Sequence, residues 1–397
     1  MAETAAVLEL PRFKGRSGWE FTDLGDFALD AWEPAPASEL GFSASHLLEP
    51  PEGAEELVQV DGSSSDGSAS SSGVIVLPLA VAREQHPELV DPHLGTIVGE
   101  TDAFTAANAA GWEGGAFVYV PRGVRVEAPV LLTAVSSAAG SILHRRVLIV
   151  LEEGAEAEVW EQYLSGGDDA TVLNTVVELR VGQNAHLRYV CGQELNEKSW
   201  IFGASRAEVE RDGSLEWVLL GFGSARGRMR AETLLAGPGA NAKVTGAYAP
   251  HARQHVDFDT TQEHGAPNTT SDLAFRGILA DRSSAVWRGM IKVDPGAQQT
   301  DAFQECRNLL LSKRAHADAI PGLEILANDV RCTHAAAVAQ IDREQLFYLR
   351  SRGLGPDDAT RLVIEGFMAE LVERFEAGPM REALGTALER RLSTLLD

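Results

Sequence analysis

Cysteine is scarce in this chain: three residues, Cys191, Cys306 and Cys332, among 397. So sparse and odd a count excludes a disulfide-stapled framework and fits free thiols in a reducing compartment. A basic surplus is missing too. Against 34 lysines and arginines stand 58 aspartates and glutamates, and that surface field repels phosphate backbones and anionic lipid headgroups, which argues against nucleic-acid and membrane partners. An acidic surface that only keeps the chain soluble is the plainer account of the same numbers. No stretch approaches the roughly 20 apolar residues of a membrane span, and the start, MAETAAVLELPRFKGRSGWEF, lacks the basic-then-apolar pattern of a secretory leader. The expected location is therefore the cytoplasm. There is no GxxxxGK[ST] phosphate loop, no GxSxG elbow and no HExxH zinc helix. If nucleotide energy is used, another chain supplies the site.

What is present has a clear order. Residues 1–110 form a mixed, partly helical region without sustained periodicity; DGSSSDGSASSSG at 61–73 is too polar to pack and is expected as a mobile loop. TDAFTAANAAGW at 101–112 is rich in helix formers. The middle has a rhythm. Short β-branched and aromatic runs recur, among them PRGVRVEAPVLL, EEGAEAEVWEQYL, VGQNAHLRYVCG and RDGSLEWVLLG; with Gly123, Gly154, Gln183, Gly213 and Gly239 as turn markers the intervals are 31, 29, 30 and 26 residues. Repeats of that length built from strands predict a solenoid whose stacked rungs each bury an inward stripe. In AEAEVWEQY, polar and apolar residues swap at period two, as a half-buried strand requires. A β-sandwich is the competing architecture, but it needs hairpin turns every 8–12 residues, and Asn-Gly or Asp-Gly pairs are few. The predicted class is mostly β, a right-handed parallel β-helix over 111–341 with helical regions at both ends.

After Ile341 the period lengthens to 3.6. Asp342 with Gln345 suggests a capping box, Gly353 a stop, and Pro356 with Asp357 and Asp358 a second helix start. Leu362, Val363, Phe367, Leu371 and Phe375 predict one apolar stripe, and Leu384, Leu388, Leu392 and Leu395 another. A helical domain is thus expected over 342–397.

Two tempting motifs read better as structure. GFGSARG at 221–227 has dinucleotide-loop spacing, but glycine and proline break the segment where a helix should begin, so a turn is expected. His251 and His255 stand four apart in a loop and strand context, and are expected as exposed histidines rather than metal ligands. That leaves Cys306, Cys332 and His334. On an extended strand Val330, Cys332, His334, Ala336 and Val338 share one face. If valine points inward, so do thiol and ring. Thiolate and neutral imidazole suit iron, copper or zinc, while a buried free cysteine beside a hydrogen-bonded core histidine is the alternative.

The run TDAFQECRNLLLSKRAHADAIPGLEILANDVRCTHAAAVAQIDREQLFYLRSRGL resembles the SufB/SufD family of SUF iron–sulfur cluster assembly scaffolds, as do FVYVPRGVRVEAPV, HGAPNTTSDLAFRGIL and VWRGMIKV upstream. The resemblance implies a non-enzymatic scaffold that pairs with a SufB-like subunit through the β-helix. It further implies that residues 342–397 dock a SufC-like ABC ATPase, and that an iron–sulfur cluster is held transiently between the two scaffold chains. This chain would bind no nucleotide itself. The stretch PGLEILANDVRCTH is similar to the SufD branch: Ala335 stands where SufB-type chains carry glutamate after the matching histidine. By this resemblance His334 is a cluster or iron ligand at the interface, Cys306 a second ligand, and Cys332 packing beside them. Ligation needs a neutral imidazole, so iron holding is expected to weaken below about pH 6.5. Cys306 occupies the position of the essential SufB cysteine. A homodimeric scaffold using Cys306 therefore stays open, as does a cysteine-dependent enzyme pairing Cys306 with His334.

Overall fold

The computed structural model describes residues 8–11, 18–42 and 45–396; the regions expected at 1–110 and 342–397 each include a few positions outside these. Short β-rich runs separated by corners give sixteen strands, from Gly114–Val120 to Val330–Gln340, that alternate between two sheets. Within each sheet successive members lie parallel, so the chain climbs through eight turns. Register is continuous: Val172 pairs with Trp200, Trp200 with Arg226, Arg226 with His255, and His255 with Ser284. This is the predicted solenoid. Antiparallel pairing among the described strands is confined to the N-terminal end, where Ile75–Pro78 lies against Gly114–Val120, and a hairpin sandwich is thereby excluded.

Alternation decides what each rung buries. In the strand Ser284–Val293 every second side chain from Ala285 onward turns into the lumen, where Val147, Val159, Leu187, Trp217, Tyr248, Phe275 and Trp287 from both sheets form one continuous core. One corner of the coil is a column of left-handed residues: Gly123, Gly154, Asn184, Asp212, Gly239, Asn268 and Gln299 all have φ between 54° and 77°. Each donates its N–H to a carbonyl on the next rung, as Gly154 does to Gln183 at 2.8 Å and Asn184 to Arg211 at 2.9 Å. Two turn markers thus move by one residue, from Gln183 to Asn184 and from Gly213 to Asp212, because asparagine and aspartate tolerate the left-handed well that the corner demands.

The Ser/Gly-rich run is paired in part, with turns between the paired residues. Ser63–Ser64 pairs with Glu55–Val60, and Ser68–Ala69 with Ile75–Pro78, so both sheets begin inside the first 110 residues. Asp61, fully buried, accepts from the backbone N–H of Ser137 at 2.8 Å and of Ala138 at 3.2 Å. The polar composition that argued against packing supplies the hydrogen bonds that close this end of the coil.

Helices cover the outer faces. Helices α1 (Leu79–Gln85), α2 (Pro87–Val90) and α3 (Ala103–Gly111) lie on the N-terminal half, α3 opened by a capping box between Asp102 and Thr105. At the other end stand α4 (Arg343–Ser351), α5 (Pro356–Val372) and α6 (Pro379–Leu396). Asp342 caps α4 by accepting from Glu344 rather than through the box expected with Gln345. In α5 the buried residues are Ala359, Ile364, Met368 and Leu371, followed by Phe375; the last four pack with Leu384, Leu388 and Leu392 of α6 against Trp160, Val190 and Val218 of the second sheet. The α6 stripe agrees with expectation. The α5 stripe is rotated, leaving Leu362 exposed.

Candidate functional site

The last three strands, Thr300–Leu310, His316–Ile325 and Val330–Gln340, build the C-terminal end of the solenoid. His316–Ile325 and Val330–Gln340 are the outermost members of their sheets, each with one edge unpaired. His334 stands in register with Gln304, and Ala336 with Cys306. Gln304 is fully buried and donates its amide to the carbonyls of Gly289 at 3.3 Å and Gly322 at 3.1 Å across the lumen. Residues paired in a parallel ladder point the same way, so Cys332, His334, Ala336 and Val338 also face the lumen side. Face assignment by alternation is therefore right. Burial is not: no rung covers this one, so His334 is exposed and Cys332 only half-buried, and the expectation of a ring sunk in the core is corrected.

Cys332 packs with Val330 against Ile291, Val293 and Ala302; partial burial and then the Asp301 carboxylate push its thiol pKa up. Cys306 belongs to the lumen core. Its sulfur lies 3.5 Å from the Tyr248 hydroxyl and accepts from the Asn308 amide at 3.4 Å, while Tyr248 donates to the Asn308 carbonyl oxygen at 2.6 Å. Burial raises the Cys306 pKa to about 11, although those two hydrogen bonds and Arg276 favour the thiolate. At neutral pH it is a protonated thiol. Cys191, deep in the lumen, is raised further by burial and by Glu161. Among the described residues no three His, Cys, Asp or Glu side chains converge into a metal-binding group, so the predicted trio is brought to two adjacent rungs but not to one centre.

The terminal rungs also expose apolar side chains on the lumen side. By register with Ile291 and Val293, Leu323 and Ile325 face inward, and they are 38% and 39% exposed; Val338 opposite is 44% exposed and Leu326 at the corner 53%. Sequence reading missed this rim, because alternation gives the face and not whether another rung follows. A second uncovered apolar surface lies on the helical end, where Phe347 and Tyr348 of α4, Leu354 and Leu362 are exposed. Elsewhere, GFGSARG forms a corner between strands, as expected. His251 and His255 are half-buried rather than exposed: His251 faces Glu197 at 3.3 Å, and His255 lies 2.8 Å from the Ser284 hydroxyl. Among the described residues no helix is long and apolar enough to cross a membrane.

Comparison with known proteins bears on this geometry. Residues 134–367 match the family described as SUF system FeS cluster assembly, SufBD core domain, and residues 59–132 match the SufBD protein N-terminal region. The chain is 31% identical over 390 residues to the iron–sulfur cluster assembly protein SufD of Bacillus subtilis, covering 95% of this chain and 88% of that one. It is 30% identical over 338 residues to an iron–sulfur cluster assembly SufBD family protein of Mycobacterium tuberculosis, 82% of this chain and 84% of that one. A Staphylococcus saprophyticus protein of the same description is 29% identical over 298 residues, 75% of this chain and 64% of its own length.

Proposed function

Because the chain belongs to the SufBD family and so has a role in iron–sulfur cluster assembly, we propose that it acts as a SufD-like scaffold subunit without catalytic activity of its own, in a SufB–SufC–SufD complex. The observation that carries this reading is the open C-terminal end of the coil. Two unpaired edges and an apolar rim around His334 suit a second, SufB-like chain that covers the last rung. Covered in that way, His334 would present an imidazole nitrogen to an iron shared between chains, with donors from the partner completing the set. The cluster is the cargo of this site.

Cys306 takes a secondary place. Its thiol is buried, hydrogen-bonded and protonated, which disfavours both a nucleophile and a ready ligand; a cysteine-dependent enzyme is accordingly the weaker reading. Cys332 serves as packing at the edge of the site. The exposed apolar residues of α4 and α5 suit the SufC-like ATPase. A cytoplasmic location follows from the same reading, since cluster assembly with free thiols calls for a reducing compartment.

Replacing His334 with alanine should lower the iron recovered with the purified complex at least severalfold while the subunits still copurify. Unchanged iron content in an intact complex would reject the ligand role.

A further inference from the structure

The second corner of the solenoid, opposite the column of left-handed residues, carries a different pattern. Arg226, Arg253, Arg282 and Arg314 sit where successive rungs pass from the second sheet back to the first, and together they line a cavity of about 550 Å³ that also includes Glu197 and Asp281. The corners are stacked directly: Arg282 donates its backbone N–H to the Ala252 carbonyl at 3.0 Å, and Ala252 donates to the Asp281 carboxylate at 3.0 Å. Asp281 accepts from that backbone group and Glu197 lies 3.3 Å from His251, and both carboxylates keep their charge. Arg226 donates to the Asp23 carbonyl and lies 5.4 Å over the Trp200 ring.

The remaining three guanidinium groups, on Arg253, Arg282 and Arg314, are exposed and have no ion pair or side-chain hydrogen bond among the described residues. With 58 acidic against 34 basic side chains, carboxylates are in excess, and arginines on neighbouring rungs do find them, as Arg206 does with Glu232 and Glu263, and Arg188 with Glu158 and Glu216. Three unpaired arginines from consecutive rungs therefore meet at one cavity; with Arg226 they outnumber its two carboxylates, Glu197 and Asp281, and leave it a net positive field.

We infer that this corner is a binding site for a small phosphate-bearing ligand of diphosphate size. Guanidinium forks recognise phosphate oxygens in pairs. Rungs lie about 4.8 Å apart, so three of them place the forks within roughly 10 Å, a span suited to two phosphate groups and short of what a nucleic-acid backbone needs. The net acidity of the chain further disfavours a polyanionic polymer at long range, whereas a small ligand inside the cavity feels chiefly the local excess of four arginines over two carboxylates, because screening confines the field to about 8 Å. The site does not depend on the scaffold reading above.

Calorimetric titration of the full chain with pyrophosphate tests it. The wild type should bind one equivalent saturably at physiological salt. Arg282→Ala and Arg253→Ala, with unchanged circular dichroism, should each weaken binding about tenfold, while Arg211→Ala at the opposite corner leaves it unaltered. Absence of saturable binding, or equal weakening by Arg211→Ala, would overturn the inference. An octaglutamate peptide that binds more tightly than pyrophosphate would overturn it too, and reassign the corner to an acidic protein partner.

Discussion

A buried histidine shows how much one side chain can decide. His264 is fully buried, with a ring nitrogen 2.8 Å from the Thr269 hydroxyl and the other 2.9 Å from that of Ser271, and burial lowers its pKa to about 4. Between pH 6.5 and about 4 the unfolded chain takes up a proton there that the folded chain does not. Stability is therefore fully present above pH 6.5 and lost as pH falls through that window, by up to about 1.4 kcal/mol per pH unit from this group. The urea midpoint of a His264→Gln variant should fall less between pH 7 and pH 5 than that of the wild type; parallel curves would remove His264 from the acid response. His334 makes the contrast. Its face was legible from the alternation of Val330, Cys332 and Val338, but its exposure was not, since a lumen-facing side chain is buried only if a further rung exists. Nor could sequence reveal that Cys306 is tied to Tyr248 and Asn308, which come from the preceding rungs and its own strand and meet only through the register of the coil.

Among the elements, α5 has two apolar sides and the fold uses them differently. Ile364 and Met368 are sealed against α6 and the second sheet, whereas Leu362 is 48% exposed. Ile364→Ala should cost about 2–5 kcal/mol of stability through the cavity it leaves, and Leu362→Ala within about 0.5 kcal/mol, both read from denaturant midpoints. Binding to the proposed SufC-like ATPase should show the reverse order, with Leu362→Ala combined with Phe347→Ala weakening it in a fully folded protein. Retained binding in that double variant would move the docking surface elsewhere. The period of 3.6 fixed the existence of α5 and its start at Pro356. It left the buried stripe ambiguous because Leu362, Val363, Ile364, Phe367 and Met368 supply apolar residues around more than half the helix, and only the surface that α5 meets selects among them. The Ser/Gly-rich stretch erred in the other direction: low hydrophobicity suggested a loop, yet edge pairing with Glu55–Val60 needs only backbone groups and short side chains.

At the scale of the whole molecule the solenoid is asymmetric. Its N-terminal end is closed by antiparallel pairing at Ser63–Ser64 and Ile75–Pro78 and by the buried Asp61; its C-terminal end stops on two bare edges, interrupted only by Pro321 in the strand His316–Ile325. Stacked-rung proteins need a polar cap at each end to stay monomeric, and exposed edges with apolar flanks are templates for pairing with another chain. One end here has such a cap and the other does not, and the proposed SufB-like chain would take that part. Introducing a charge into the rim, as in Val338→Glu, removes apolar contact and opposes burial of the edge without touching any packed rung. The variant should therefore keep the thermal midpoint of the isolated wild-type chain within about 1 °C, a shift corresponding to less than about 1 kcal/mol for a chain of this size. It should also fail to copurify with a SufB-like subunit under conditions where the wild type does. A variant that associates as readily as the wild type would mean that the last rung is not the seat of pairing, and His334 would then lose the second chain on which its proposed role depends.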